Sequence, residues 1–217
     1  MRLGALVSGR GSNLAAILKA GLPMAVVISN RPGVPALEIA AAHRVPSWVL
    51  RQADFPDGQA RDGAIGRILA DAGVELAVLA GYDQVLRPAY FGAFGGRTIN
   101  IHPSLLPAHG GRGMVGLAVH RSVLAAGDRE TGATVHEVGA VLDAGPILAQ
   151  VRVPVVAGDD AETLAARVLT EEHRLLVATI RQLVADQAAE GRSGTMRASI
   201  PAASDAAHDS TRSSQGR

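Results

Sequence analysis

The chain has 217 residues, of which 47% are hydrophobic but only 3% are aromatic, and its formal net charge is +1 at pH 7. This length is enough for one compact domain with an aliphatic core, and so balanced a charge does not favour a nucleic-acid partner. The lack of cysteine excludes disulfides, thiol nucleophiles and cysteine metal sites. The segment after Met1 lacks the layout of a signal peptide, and no apolar run is long enough to span a membrane. We therefore expect a soluble, cytoplasmic protein.

A buried strand, a glycine-rich turn and a helix are predicted in succession at the N-terminus. The apolar run 3–7 is followed by Ser8-Gly9-Arg10-Gly11-Ser12-Asn13 and then by a helical segment at 14–20. This layout offers backbone N–H groups and a helix N-terminus to a phosphate. Because Leu14 stands where a dinucleotide fingerprint has its third glycine, a single phosphate is favoured over a dinucleotide. The alternative is an ordinary strand–helix turn in which Ser12 or Asn13 caps the helix.

Strands and helices alternate through the next segments. Apolar runs at 25–29, 47–50 and 75–80 are separated by helical patterns at 35–43 and 60–72. This alternation predicts an α/β fold with a doubly wound, mostly parallel sheet. Two later strand-like segments, 132–138 and 147–153, are joined by a short loop, so we expect an antiparallel strand near the C-terminal edge of the sheet.

The most informative stretch runs from Thr98 to Pro107. It begins as a strand and stops at Pro103, which cannot donate to a sheet ladder. Asn100 and His102 are two residues apart, so both side chains leave the strand on one face. In open α/β sheets, ligands bind at the carboxyl ends of the strands. An amide beside an imidazole suits a developing oxyanion and a proton in transit, although a polar strand end with a surface histidine is the alternative.

The remaining segments are a loop, a long helix and a tail. The glycine-rich loop around Arg112 is either a lid, an anion contact or a plain surface loop. The last helix is predicted to start at Asp159-x-x-Glu162, a variant of the capping box. Beyond about residue 186 the apolar period disappears. We therefore expect a single domain at 1–189 and a tail at 190–217 that is disordered or only weakly docked.

Two motifs resemble those of the folate-dependent formyltransferases. They are Asn100-x-His102-Pro103-Ser104-Leu105-Leu106-Pro107 and Leu142-Asp143-Ala144-Gly145-Pro146. The Gly-Ser-Asn turn is similar to that of family members which bind a ribose phosphate, and the resemblance covers about 1–184. It implies a Rossmann-like fold and transfer of a formyl group from 10-formyltetrahydrofolate, as co-substrate, to the amine of glycinamide ribonucleotide in purine synthesis. It also implies small-molecule substrates, no metal, no membrane and no nucleic acid, in a monomer or homodimer.

The resemblance implies three sets of site residues. The catalytic set is Asn100, His102 and Asp143. The substrate set is Gly11, Ser12, Asn13, Leu14, Leu169, Thr170, Glu171 and Glu172, with Glu172 facing the ribose hydroxyls. The folate set is Arg61, Asp83, Gln84, Val85, Leu86, Asn100, Gly139, Ala140, Val141, Leu142 and Asp143. Gln84 and Gly58 stand where the family often has arginines, and Arg61 is the candidate replacement.

The residues and the resemblance lead to one mechanism. A neutral amine attacks the formyl carbon, Asn100 and protonated His102 stabilise the charge on the formyl oxygen, and Asp143 with a water relays the proton.

Three alternative functions remain open. Methionyl-tRNA formyltransferase would need a basic RNA-binding extension, and formyltetrahydrofolate deformylase would be expected to carry a further N-terminal domain. A phosphate-binding sensor without catalysis would have no reason to combine Asn100, His102 and Asp143.

Overall fold

The computed structural model describes the backbone of residues 1–197 and the side chains of residues 1–190. Seven strands form one sheet with the order β3-β2-β1-β4-β5-β6-β7. The first five strands are parallel, whereas β6 is antiparallel to β5 and β7 to β6. The predicted α/β class and the antiparallel C-terminal edge are therefore confirmed. The strands are β1 Leu3–Val7, β2 Met24–Ser29, β3 Ser47–Val49, β4 Leu76–Leu79, β5 Arg97–His102, β6 Glu130–Glu137 and β7 Ile147–Pro154.

Helices cover both faces of the sheet. One hydrophobic layer packs α1, α2, α5 and α6 against the sheet, and a second packs α3 and α4 against the opposite face. In β1, Ala5 belongs to the first layer and Leu6 to the second, because successive side chains of a strand point to opposite faces. The helices are α1 Ser12–Lys19, α2 Pro35–Ala42, α3 Gly58–Asp71, α4 Pro88–Ala93, α5 Leu117–Ala126 and α6 Ala161–Arg197, and Gln52–Asp54 adds one 3-10 turn. Within residues 1–197, no helix has both the length and the apolar character that a membrane span requires.

The turn between β1 and α1 depends on Gly11. This residue is the N-cap of α1 and has a φ of 75°, a left-handed value that glycine adopts without strain. A Cβ at this position would lie 2.7 Å from Cα of Ala36 in α2. Neither Ser12 nor Asn13 caps the helix, since both lie inside its first turn. The alternative of an ordinary side-chain cap is therefore wrong, and the backbone of the turn approaches α2 closely.

Helix α6 begins one residue away from the predicted position of its cap. Asp160 Oδ1 accepts a hydrogen bond from the Thr163 amide at 2.7 Å, and Thr163 Oγ1 accepts one from the Asp160 amide at 2.9 Å. The capping box is thus Asp160-x-x-Thr163, because Asp159 is already paired with Arg167 at 2.6 Å. The helix continues to Arg197, past the predicted start of the tail at 190. Residues 198–217 of that tail lie outside the described part of the chain.

Candidate active site

A cavity of about 960 Å³ opens at the carboxyl ends of β1, β4 and β5. Strand β1 has β2 and β3 on one side of it within the sheet and β4 and β5 on the other, so the direction in which strands are added reverses at β1. Such a switch point is where open α/β sheets bind ligands. The wall is formed by the turn after β1, the segment after β4, the end of β5, the loop before α5, two residues of the β6–β7 loop and one face of α6.

Asn100, His102 and Asp143 meet in this wall. The β6–β7 loop brings Asp143 Oδ2 to 3.8 Å from His102 Nδ1, and both side chains are largely buried. The same oxygen accepts a hydrogen bond from the Gly111 amide at 2.9 Å. Gly145 permits this path, since a Cβ there would lie 1.9 Å from the Glu137 carbonyl oxygen. The fold thus brings the loop residue Asp143 to the end of β5, where it shares one wall with Asn100 and His102.

His136 on β6 belongs to the same cluster, although the sequence analysis did not include it. Its Nδ1 lies 2.9 Å from the Glu137 carbonyl oxygen, and its Nε2 lies 3.1 Å from Asn100 Nδ2. A carbonyl only accepts hydrogen bonds, so Nδ1 carries the proton and Nε2 accepts one from the Asn100 amide. Burial lowers the pKa of His136, which favours this neutral form. His136 therefore orients the Asn100 amide, and the cross-strand register of β5 and β6 was the signal for it.

His120 on α5 is a second residue of the wall that the sequence analysis missed. Its side chain lines the cavity but is only 3% exposed. Burial, with a smaller contribution from the charge of His102, lowers the pKa of His120. Its Nδ1 has no hydrogen-bond partner among the described side chains and backbone groups. A neutral imidazole with a spare nitrogen thus lies beside the three clustered residues.

The predicted phosphate turn forms one end of the cavity. Gly11, Ser12 and Asn13 line it, whereas Leu14 is fully buried in the core and contributes no side chain to the wall. Asn13 Nδ2 donates to Glu172 Oε2 at 3.3 Å. Glu172 is 7% exposed, and burial raises the pKa of its carboxyl. This end of the cavity therefore combines backbone donors with a buried carboxyl group.

The α6 segment 169–172 divides between the cavity and the solvent. Leu169 and Glu172 line the cavity. Thr170 instead bonds the Ala166 carbonyl oxygen at 3.2 Å, and Glu171 pairs with Arg174 at 2.6 Å, both on the exposed side of the helix. Because residues of one helical turn point in different directions, only two of the four residues proposed here face the site.

Only part of the proposed folate set lines the cavity. Asp83, Gln84, Val85, Leu142 and Asp143 line it together with Asn100. Leu86 is buried in the hydrophobic layer under α3 and α4, and the loop residues Gly139, Ala140 and Val141 are exposed to solvent. The segment after β4 thus offers three neighbouring side chains, and the β6–β7 loop offers two.

Arg61 does not line the cavity, although its Nη1 lies 3.5 Å from Oε1 of Gln84, which does. It is 1% exposed and donates to Asp62 Oδ1 from Nε at 2.8 Å and from Nη2 at 2.7 Å. Arg87 lines the cavity instead, with 46% of its side chain exposed and its Nη1 3.5 Å from Asp62 Oδ2. A Cβ at Gly58 would lie 1.9 Å from that Nη1. The missing side chain at 58 therefore leaves room for Arg87, which the sequence analysis did not consider.

Comparison with known proteins gives a consistent result. Residues 1–180 match the family described as formyl transferase. The chain is 44% identical over 200 residues to the phosphoribosylglycinamide formyltransferase of Mycobacterium tuberculosis, covering 90% of this chain and 91% of that protein. It is 42% identical over 180 residues to the trifunctional purine biosynthetic protein adenosine-3 of Drosophila pseudoobscura pseudoobscura, covering 79% of this chain but only 13% of that much longer protein.

Solved structures give the same picture. The chain resembles the crystal structure of glycinamide ribonucleotide transformylase 1 from Symbiobacterium toebii with a TM-score of 0.78 and 42% sequence identity. The match covers 83% of this chain and 86% of that one. The family match over residues 1–180 includes every residue that lines the cavity.

Proposed function

The chain belongs to the formyl transferase family, and from that premise we propose that it transfers a formyl group from 10-formyltetrahydrofolate to the amine of glycinamide ribonucleotide in purine biosynthesis. The names of its relatives support this substrate, since one of them is matched over 91% of its length. The observation that carries the proposal is the cluster of Asn100, His102 and Asp143 in one cavity that has a phosphate turn at one end.

The ribonucleotide would bind at the α1 end of the cavity. The backbone N–H groups of Gly11, Ser12 and Asn13 lie at a helix N-terminus, where a phosphate is favoured. Glu172, one turn of chain away from Leu169 on α6, is placed for the ribose hydroxyls, to which a carboxyl group can donate or accept. The amine would then extend toward Asn100 and His102.

The formyl donor would bind at the end formed by Asp83, Gln84 and Val85. Folates carry a glutamate whose carboxylates require a cation, and Arg61 is already neutralised by Asp62. Asp62 faces two guanidinium groups, so this group of three residues has one positive charge in excess, located on the half-exposed Arg87. We therefore propose Arg87, in place of Arg61, as the cation for the donor.

The reaction needs one bond to form and one to break. The amine nitrogen attacks the formyl carbon, negative charge develops on the formyl oxygen, and the bond to the folate nitrogen breaks as that nitrogen takes up the proton lost by the amine. The Asn100 amide and the His102 imidazolium would stabilise the oxygen, and each such donor typically lowers the barrier by about 2.7–4 kcal/mol. Asp143, whose Oδ2 lies 3.8 Å from His102 Nδ1, would relay the proton through a water.

The direct test is an assay with 10-formyltetrahydrofolate and glycinamide ribonucleotide that measures formylated product and free formate separately. We expect product to form in proportion to donor consumed. Formate without product would favour a deformylase, and ligand binding without turnover would favour a phosphate-binding sensor. A single domain at 1–189, a cytoplasmic location and a monomeric or homodimeric state remain predictions.

A further inference from the structure

One nitrogen of His102 is occupied by the protein itself. Its Nε2 lies 2.9 Å from the carbonyl oxygen of His109, in the loop that connects β5 to α5. A carbonyl oxygen only accepts, so Nε2 carries a hydrogen. The other nitrogen, Nδ1, is 3.8 Å from Asp143 Oδ2, which is too long for a hydrogen bond. Nδ1 is therefore the ring nitrogen left for a ligand or a water.

The ring of His109 is held at both of its nitrogens. Its Nε2 lies 2.7 Å from Asp128 Oδ2, and its Nδ1 lies 2.8 Å from Ser122 Oγ. The carboxylate accepts the Nε2 hydrogen, while the serine hydroxyl can serve Nδ1 as donor or acceptor. Ser122 belongs to α5 and Asp128 follows the end of that helix. One imidazole thus fastens the β5–α5 loop to α5.

The backbone of His109 needs such a constraint. Its φ is 53°, in the left-handed region, and it is not a glycine. A non-glycine residue in this region is strained and keeps its conformation only when the surroundings hold it there. The two hydrogen bonds of the ring supply that restraint. Without them, the residue can return to an ordinary conformation, which would turn its carbonyl away from His102.

We propose that His109 is a positioning residue: its ring, held by Ser122 and Asp128, keeps its carbonyl on His102 Nε2 and thereby makes His102 Nδ1 the nitrogen that acts on the substrate. The orientation of the His102 ring follows from the contacts alone, whereas the role of Nδ1 in formyl transfer rests on the proposed function. His109 touches no reacting atom and acts through His102.

A first experiment tests the orientation without any substrate. The full-length chain is labelled with ¹⁵N in its histidines, and the two neutral tautomers of His102 are distinguished by long-range ¹H–¹⁵N correlation. At high pH, where the ring is neutral, we expect His102 to be the Nε2–H tautomer in the parent protein and a mixture of tautomers in His109→Ala. Protonation of the Nε2–H form then adds the second hydrogen at Nδ1, which is the hydrogen that the imidazolium of the proposed mechanism would donate to the formyl oxygen. His43→Ala, which removes an exposed histidine at the end of α2, should leave the spectrum of His102 unchanged. An Nε2–H tautomer that persists in His109→Ala would overturn the proposal.

A second experiment measures the consequence for turnover. We expect His109→Ala and Asp128→Ala to lower kcat by about 10- to 100-fold, as for a small misplacement of a catalytic group, with both KM values nearly unchanged. His109→Gln keeps an N–H donor that can reach Asp128 and should regain part of kcat. A kcat within about twofold of the parent in His109→Ala, or an equal rise of both KM values, would contradict the proposal. If the parent chain transfers no formyl group, the proposed function fails, and the tautomer measurement still decides the role of His109.

Discussion

Arg87 occupies the space that a side chain at Gly58 would need, since a Cβ there would lie 1.9 Å from Arg87 Nη1. The two positions are therefore coupled, although 58 opens α3 and 87 immediately precedes α4. Asp62 holds the arrangement together, because its Oδ2 accepts a hydrogen bond from the Arg87 amide at 2.9 Å and lies 3.5 Å from the guanidinium.

The first prediction concerns this pair. Gly58→Ala should displace the flexible end of Arg87 with little effect on stability, and should raise KM for 10-formyltetrahydrofolate by about fivefold, equivalent to about 1 kcal/mol for one partly exposed ion pair. KM for the ribonucleotide should not change. Gly92→Ala is the matched control, because a Cβ there has open space. With a donor that lacks the glutamate, parent and variant should have equal KM values; a difference that persists would show that Arg87 contacts another part of the donor.

The second prediction concerns Asp143 and His102. Asp143 has a φ of 52°, and asparagine tolerates this conformation better than most residues, so Asp143→Asn should keep the loop in place and remove only the charge. We expect kcat to fall by orders of magnitude in Asp143→Asn and in His102→Ala, while both substrates still bind. Residues that act as one unit are not additive, so the double variant should be little slower than either single one. Full additivity in the three kcat values would mean that the two residues work separately.

The third prediction is a pH dependence that originates at Glu172. Burial raises the pKa of its carboxyl above the usual 4.5, so the folded state favours the protonated form. The stability that this group contributes is therefore complete below about pH 4.5 and is lost as the pH rises through the raised pKa. Glu172→Gln keeps an oxygen that can accept from Asn13, removes the buried charge and should raise Tm relative to the parent, by more at pH 8 than at pH 5.

Two further measurements complete that test. Glu171→Gln is the control, since Glu171 lies beside Glu172 in the chain but is paired with Arg174 at the surface, and it should show no such gain at high pH. KM for the ribonucleotide should rise in Glu172→Gln and not in the control. A Tm difference between Glu172→Gln and the parent that shrinks with rising pH would show that the carboxyl is not destabilised by burial.

The fourth prediction concerns the C-terminal segment. Truncation after Ala189 should leave kcat within about twofold, a change of only about 0.4 kcal/mol in barrier, because the residues of α6 that line the cavity end at Glu172. The last described hydrogen bond before this point, from Gln187 to Glu75, lies on the exposed surface. A much larger fall in kcat, measured with saturating substrates, would show that the segment reaches the active site.

The sequence predicts those parts of the site that depend on the alternation of side chains along a strand. Asn100 and His102 share a face because strand side chains alternate, and this could be read directly from their spacing. Asp143 could be proposed only from a resemblance, since no local pattern indicates that a loop will fold back over another strand. His136 was within reach, because an antiparallel neighbour of β5 places it opposite Asn100.

The proposed site residues differ from the observed cavity wall where side-chain direction depends on the tertiary structure. Arg61 and Arg87 are equally plausible cations in the sequence, yet one is buried against Asp62 and the other lines the cavity. Thr170 and Glu171 face away from the site for the same reason, as a helical segment in contact with a cavity turns only one side toward it. The predicted N-cap of α6 is one residue too early, because the sequence offers both Asp159 and Asp160 as caps. In the structure Asp159 is paired with Arg167, and Asp160 caps the helix.

The pairing of β1 with β4 has a consequence for how the protein matures during synthesis. Leu3 of β1 pairs with Leu76 of β4, so β1 cannot pair on both of its edges until β4 has been synthesised. Glu172 follows almost a hundred residues later, on a helix whose Leu164 and Val168 close the core beneath the phosphate turn. The cavity is therefore complete only when nearly the whole domain has left the ribosome. Until Glu172 has been made, a nascent domain thus lacks a complete site for the proposed reaction.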